Sequence, residues 1–215
     1  MNKHISINEA VAKITDGMTL MIGGFLGVGS PIKLIDALIE QGTKDLTIIC
    51  NDSAYPNVAH GKLIHHKRVK KIIASHIGTN PSTIDQMNNG DIDIEFVPQG
   101  TLAERIRAQG VGLGGVLTQT GLGTLVAQNK SIIYVDNTPY LLEKPLRADI
   151  ALIGASISDH MGNLYYKGTS RNMNPLMATA ADLIIVEPQE IVAAGYFKPE
   201  DIHTSHIFID HIIKF

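Results

Sequence analysis

The sequence predicts an α/β fold, an open and mostly parallel sheet flanked by helices, formed as one domain over residues 1–215. Three observations carry that expectation. Short β-branched runs alternate with amphipathic stretches along the whole chain. The first such run passes through a glycine-rich turn into a helix pattern, the start of a strand–loop–helix unit. At 215 residues and 44% apolar the chain can bury one full core, and no repeat, linker or low-complexity tract divides it.

The elements follow in order. Ser6-Ile7-Asn8-Glu9 is a capping box, in which Ser6 and Glu9 each satisfy a free backbone N–H. Ile7, Ala10, Val11 and Ile14 then recur at helical spacing, and Asp16-Gly17 turns the chain into a strand over 18–22. Past the glycine-rich loop, Ser30 is the expected N-cap of a second helix and Pro31 its first residue. That helix faces inward with Ile32, Ile35, Leu38 and Ile39, and Gly42 ends it. Further strands are expected over 46–50, 71–75, 92–97, 132–135, 150–154 and 183–187. Helices are expected over 83–88, 102–109 and 175–181, with Thr101 and Glu104 as a second capping box. The stretch 110–124 carries six glycines and reads as an extended loop.

Composition excludes several function classes. The balance of 18 basic against 21 acidic residues, a net charge of −3, argues against nucleic acid as a partner, since phosphate backbones demand a concentrated basic surface. The basic cluster Lys67-Arg68 with Lys70-Lys71 adjoins an apolar strand and reads as a solvated rim, a phosphate-contacting patch being the alternative. One cysteine, Cys50, rules out an internal disulfide, so nothing points to an oxidising compartment. Met1-Asn2-Lys3-His4 leads straight into the capped helix without a signal-peptide core. No apolar run approaches the roughly 18 residues that span a bilayer. The expectation is a cytoplasmic protein without a membrane role.

The strongest local signal for chemistry is Gly23-Gly24-Phe25-Leu26-Gly27-Val28-Gly29-Ser30-Pro31, which follows a strand and opens a helix. Backbone N–H groups there could meet a phosphate or a developing oxyanion, because glycine lets the backbone come close to a ligand. The alternative is a tight connection without a ligand. The loop is no P-loop, since Gly29 is followed by Ser30-Pro31 in place of Lys-Ser/Thr. The dinucleotide fingerprint fails here too, and its occurrence at Gly110, Gly112 and Gly115 follows a helical run instead of a strand. Other strand ends add Asn51-Asp52, Gly78-Thr79-Asn80-Pro81 and Pro98-Gln99-Gly100-Thr101, each of which alone is more often a cap or turn. His65-His66, His203, His206 and His211 match no zinc spacing, so no metal is expected. No Gly-x-Ser-x-Gly elbow supports a serine hydrolase, and Cys50 at a strand end reads as a buried, inert thiol.

Together these residues resemble family I CoA-transferase A subunits. The resemblance begins with Asp16-Gly17, the strand, Gly23-Gly24-Phe25, Gly29 and Pro31. It continues through Asn51-Asp52, residues 73–81, residues 98–107, Arg171-Asn172-Met173-Asn174-Pro175 and Ile202-His203-Thr204. It covers nearly the whole chain in order. Residues 51–57 and 112–118 are similar to the two-subunit branch acting on acetate, butyrate and acetoacetate. Mitochondrial 3-oxoacid enzymes tend to carry Asn-Asn where this chain has Asn51-Asp52, which points away from succinate. Met173 stands where Phe is usual, Gln109 where Gly is usual, and Ser205-His206 where Pro-Gly is common.

The resemblance implies a ping-pong transfer of CoA between acyl-CoA and short-chain carboxylic acids. A glutamate of a B subunit, in a Ser-Glu-Asn-Gly motif, is the nucleophile, and this chain has no such motif. It implies that residues Gly23, Gly24, Phe25, Leu26, Gly27, Val28, Gly29, Ser30 and Pro31 line the CoA thioester region, and that Asn51, Gln99 and Gly100 take the substrate carboxylate or carbonyl. No catalytic residue is then expected on this chain. CoA enters as a substrate, with no covalent cofactor, and two A with two B subunits form the assembly. For Gln99 a loop-fixing role is the alternative. Two other functions remain open: a non-catalytic ligand-sensing module, and a self-sufficient enzyme using an acid such as Glu187.

Overall fold

The structure is a computed structural model and describes residues 3–214. In chain order the elements are β1 (His4–Ile5), α1 (Ile7–Val11), β2 (Thr19–Ile22), α2 (Ile32–Gln41), β3 (Leu46–Ile49), α3 (Gly61–His65), β4 (Val69–Ala74), α4 (Pro81–Asn89), β5 (Asp93–Phe96) and α5 (Gln99–Gly110). There follow β6 (Val116–Thr118), β7 (Ile132–Val135), β8 (Thr138–Glu143), β9 (Ala148–Asp159), β10 (Leu164–Tyr165), α6 (Asn174–Met177), β11 (Ala181–Val192) and β12 (His211–Ile213).

The main sheet runs β1-β12-β11-β9-β2-β3-β4-β5, every neighbouring pair parallel, with β10 folded back antiparallel on β9. A second, antiparallel sheet runs β6-β8-β7. Side chains alternate faces along a strand, and both faces of the main sheet are covered. Leu20, Ile22, Ile48, Ile72, Leu152 and Ile185 pack under α1, α2 and α3. Met21, Ile49, Ile73, Ile153 and Val186 pack on the other face with Leu102 and Ile106 of α5 and Met177 of α6. This two-sided burial is why the central strands read as continuous apolar runs.

Some sequence expectations hold and others need correction. The Ser6–Glu9 capping box is formed, and Gly42 closes α2 in the left-handed region at φ 87°. Ser30 is not an N-cap: α2 begins at Ile32, Pro31 occupies the cap position, and no local side chain caps it. Thr101 is not a cap either. The helix starts earlier, at Gln99, so Thr101 lies inside the first turn, and Glu104 pairs with Arg107 instead. The helix expected over 175–181 is the single turn α6, because Ala181 already belongs to β11. The strand at 132–135 lies in the antiparallel sheet, and all four of its residues are exposed. The 110–124 stretch holds β6.

Because its strands run parallel, the main sheet gathers their carboxyl ends on one edge. The 23–31 loop, Asn51, Ser75 and Gln99 all follow strands at that edge, and Glu187 lies beside it within the longer β11, paired with Gly154 just past the level of the β2 end. Open α/β sheets bind ligands there.

Candidate functional site

The loop after β2 is a tight hairpin. Phe25 and Val28 exchange both backbone hydrogen bonds, at 3.0 and 2.9 Å. Leu26 and Gly27 between them have φ of 49° and 89°, the positive pair that a two-residue type I′ turn requires. The turn throws Phe25 and Val28 outward, each about half exposed.

The Arg171–Pro175 segment clamps this hairpin. Asn172 takes the Gly24 N–H on its Oδ1 (3.2 Å) and donates to the Val28 carbonyl (3.0 Å). Asn174 donates to the Gly29 carbonyl (3.0 Å) and takes the Gly154 N–H (3.3 Å). The fit leaves no space for a side chain at Gly23: a Cβ there would stand 1.7 Å from Asn174 Oδ1. At Gly29 a Cβ would stand 2.4 Å from the Ser170 carbonyl oxygen.

Most of the loop amides are committed to the fold. Gly23 donates to the Leu152 carbonyl at 3.0 Å and Ser30 to that of Gly27 at 3.2 Å. Leu26 donates to Asp52 Oδ2 at 3.0 Å. Among the described residues, Gly27 and Gly29 are the loop amides without a protein acceptor. The loop-wide donor array expected from sequence narrows to these two.

Asp52 is the hub of the site. Its buried carboxylate accepts from Leu26 N–H, from Asn51 Nδ2 at 2.7 Å and from Ala54 N–H at 2.7 Å. The fully buried His60 donates Nε2–H to the Asp52 carbonyl at 2.5 Å, and burial lowers its imidazole pKa. Asn51 Oδ1 accepts from Gln99 Nε2, Gln99 Oε1 accepts from Ser75 Oγ, and Ser75 Oγ lies 2.7 Å from the Asn51 carbonyl. One hydrogen-bonded path therefore runs from the glycine loop through Asp52 and Asn51 to Gln99.

The path brings Asn51 and Gln99 together, as the sequence suggested, and divides their work. Asn51 is only 3% exposed and holds Gln99, whereas Gln99 is exposed and offers its remaining N–H outward. Gly100 follows Gln99 in the first turn of α5. It opens onto a cavity of about 510 Å³ between α5 and β6, with Thr101, Arg107 and Thr118. The resemblance spans Asp52 and Ser75 but implies a role for neither. The signal for Asp52 was its place directly after a strand, which caps and turns share.

Other candidates resolve on geometry. Cys50 is fully buried, and burial together with Asp52 pushes its thiol pKa well up, so it is inert. Three of the basic cluster have protein partners: Lys71 meets Glu95 at 3.0 Å, Lys67 meets Asp91 at 3.2 Å and Arg68 donates to the Gly42 carbonyl. That is the solvated rim. Among the described residues no three His, Cys, Asp or Glu side chains converge as a metal site, and no helix is long and apolar enough to cross a membrane.

A profile of the family described as coenzyme A transferase matches residues 4–214. The chain belongs to the coenzyme A transferase family. Its A-subunit character is equally plain. It is 54% identical over 199 residues to the acetoacetyl-CoA:acetate/butyrate CoA transferase alpha subunit of Clostridium acetobutylicum, covering 93% of this chain and 91% of that one. It is 51% identical over 211 residues to the acetate CoA-transferase subunit alpha of Escherichia coli K12, covering 98% and 96%. The fold matches an acyl-CoA transferase from Escherichia coli O157:H7, solved as a thioester complex with CoA, at TM-score 0.86 and 23% identity. That match covers 98% of this A subunit and 46% of the longer chain, so the A subunit spans about half of it.

Proposed function

We propose that this A subunit, joined to a B subunit, moves CoA between acyl-CoA and short-chain carboxylic acids such as acetate, butyrate and acetoacetate. The supporting names are those of the two alpha-subunit relatives above. The observation that carries the reading is the path from the glycine hairpin through Asp52 and Asn51 to Gln99, which ends in open donors and in no free acid.

The chemistry then divides between two chains. A carboxylate of the B subunit attacks the thioester carbonyl; the tetrahedral oxyanion collapses, expelling CoA thiolate and leaving an acyl-glutamyl anhydride. The thiolate attacks the glutamyl carbonyl, which releases the first carboxylic acid as its carboxylate and leaves a glutamyl-CoA thioester. The second acid reverses both steps. Each tetrahedral state puts negative charge on oxygen, and the Gly27 and Gly29 amides are the loop donors left to meet it. A preorganised donor of this kind contributes about 3–4 kcal/mol. Gln99 orients the incoming carboxylate, Asn51 holds Gln99, and Gly100 takes the far end of the acid from the first turn of α5. The exposed Phe25 and Val28 form part of an apolar rim for the B subunit to cover. The assembly pairs two A with two B subunits.

Co-expression with the adjacent B-subunit reading frame tests this. The complex should exchange CoA between acetoacetyl-CoA and acetate, and borohydride should trap the glutamyl thioester on the B chain. Turnover by the A subunit alone would overturn the division of labour.

A further inference from the structure

Asn51, Ser75 and Gln99 follow three neighbouring strands, β3, β4 and β5, and Ser75 belongs to the middle one. Its Oγ lies 2.7 Å from the Asn51 carbonyl oxygen and within hydrogen-bond reach of Gln99 Oε1. Both neighbours accept, and a hydroxyl has one proton to give. The Asn51 carbonyl already takes the Ser75 backbone N–H at 3.2 Å. Gln99 Oε1 has no other donor among the described residues. The proton therefore does more on Gln99 than on Asn51.

The rest of the path fixes which way the Gln99 amide faces. The two oxygens of Asp52 are claimed by the Leu26 and Ala54 amides, which only donate, so Asp52 presents an acceptor to Asn51. Asn51 must turn Nδ2 to Asp52, at 2.7 Å, and Oδ1 to Gln99. Gln99 must then turn Nε2 to Asn51 and Oε1 to Ser75. A flipped Gln99 would set oxygen against oxygen at Asn51, and a flipped Asn51 would set oxygen against the Asp52 carboxylate. The polarity runs one way, from Asp52 to the Ser75 hydroxyl. One Nε2–H of Gln99 is left over, on an exposed side chain at the strand-end edge of the sheet. Such a donor suits a carboxylate oxygen.

We infer that Ser75 is a positioning residue for the incoming acid: by donating to Gln99 Oε1 it holds the Gln99 amide at both ends, so that the free N–H, and not the oxygen, meets the carboxylate. The inference rests on the proposed function above and gives Ser75 no contact with substrate. Asn51 alone would leave Gln99 hinged on a single hydrogen bond, and a long exposed side chain held at one point keeps much of its rotamer freedom.

The test is a double-mutant cycle in the A–B complex, with acetoacetyl-CoA and acetate as substrates. Ser75→Ala should raise KM for acetate roughly 3- to 10-fold, the loss of one neutral hydrogen bond, with kcat within about 2-fold of wild type. Its melting temperature should fall by no more than a few degrees. Adding Ser75→Ala to Gln99→Ala should change KM by less than about 2-fold, because the amide that Ser75 acts on has gone. Ser75→Thr, which keeps the hydroxyl, should stay near wild type. Wild-type KM in Ser75→Ala or in Gln99→Ala overturns the inference. So does an equal rise from Ser75→Ala in both backgrounds, since Ser75 would then act on the acid or the fold without Gln99. A Ser75→Thr variant as weak as Ser75→Ala overturns it too, by making shape and not the hydroxyl the cause. An inactive wild-type complex sinks the proposed function and this inference with it, whereas an active wild type beside an unaffected Ser75→Ala sinks this inference alone.

Discussion

Replacing Asp52 by asparagine removes one charge and one acceptor from a buried carboxylate that meets three donors. The best arrangement keeps oxygen where Leu26 and Asn51 donate and turns the new NH₂ toward Ala54 N–H, two donors at a 2.7 Å separation. The lost charge-assisted bond is worth about 1.5–3 kcal/mol. The two retained bonds become neutral and weaken, since charge-assisted bonds are roughly twice as strong. A total near 3 kcal/mol follows, or a drop of roughly 6–12 °C in melting temperature for a chain of this size. Asp52→Ala leaves all three buried donors unmet and should cost about 2 kcal/mol more. Thermal and urea unfolding of wild type and both variants, alone and with the B subunit, reads these values. KM for the carboxylate should rise in Asp52→Ala, where Asn51 loses the anchor that holds Gln99, and change less in Asp52→Asn, which keeps that acceptor. The reasoning fails if Asp52→Asn melts within about 2 °C of wild type, or if Asp52→Ala is no worse than Asp52→Asn.

Gln99→Ala should lower the melting temperature by only a few degrees, through the unmet Oδ1 of the buried Asn51, yet raise KM for the carboxylate roughly 10-fold, the equivalent of one hydrogen bond near 1.4 kcal/mol. Steady-state kinetics beside calorimetry separates the two effects. Gly23→Ala should fail to fold or melt far lower, since its Cβ would stand 1.7 Å from Asn174 Oδ1, while Gly100→Ala, with open space around it, should fold as wild type. Expression yield and melting curves of the pair check this. His60 is buried neutral with its pKa lowered by burial, so its contribution is complete above the unfolded value of about 6.5 and is lost as pH falls from there through the lower folded value. His60→Gln, which keeps a donor for the Asp52 carbonyl, should flatten the fall in urea midpoint between about pH 7 and 5.5.

The parts of this molecule legible in the sequence are those whose cause is local. The Ser6–Glu9 box needs four consecutive residues and forms as read. The central strands announce themselves because both faces are buried, which turns alternation into continuous apolar runs. The α2 cap was misread because its acceptor, Glu187, arrives from the other end of the chain, and Ser30 offered a plausible local substitute. Thr101 misled in the same way, since Pro98 can start the helix three residues earlier. Of the β6-β8-β7 sheet only β7, over 132–135, is legible in the sequence, because a small sheet at the margin of the fold carries glycines and exposed residues in place of a buried pattern. At the site, Gln99 and Asn51 stood out only through resemblance. That both follow strands of one parallel sheet places them on one edge, but nothing in the spacing of residues 51 and 99 says that strand order β3-β4-β5 brings their side chains into contact.

Under the proposed division of labour, the geometry gives a reason for this chain to act with another polypeptide. A nucleophilic carboxylate must keep a lone pair free and be able to move against a carbonyl carbon. Asp52 is buried and accepts three hydrogen bonds; Glu187 accepts two backbone amides at a helix end. Both are worth more to the loop as fixed acceptors than as attacking groups, and freeing either would release the hairpin it holds. A site that spends these acids on fixing the loop and the helix after it has neither left to attack. Under that proposal the attacking carboxylate comes from a surface that approaches the hairpin from outside, where Phe25 and Val28 are exposed. Supplying an exogenous carboxylate to the A subunit alone should therefore produce no CoA transfer at any concentration, even if acyl-CoA binds. Slow transfer that grows with added acetate, read by thioester absorbance, would show that the hairpin needs no nucleophile from a second chain.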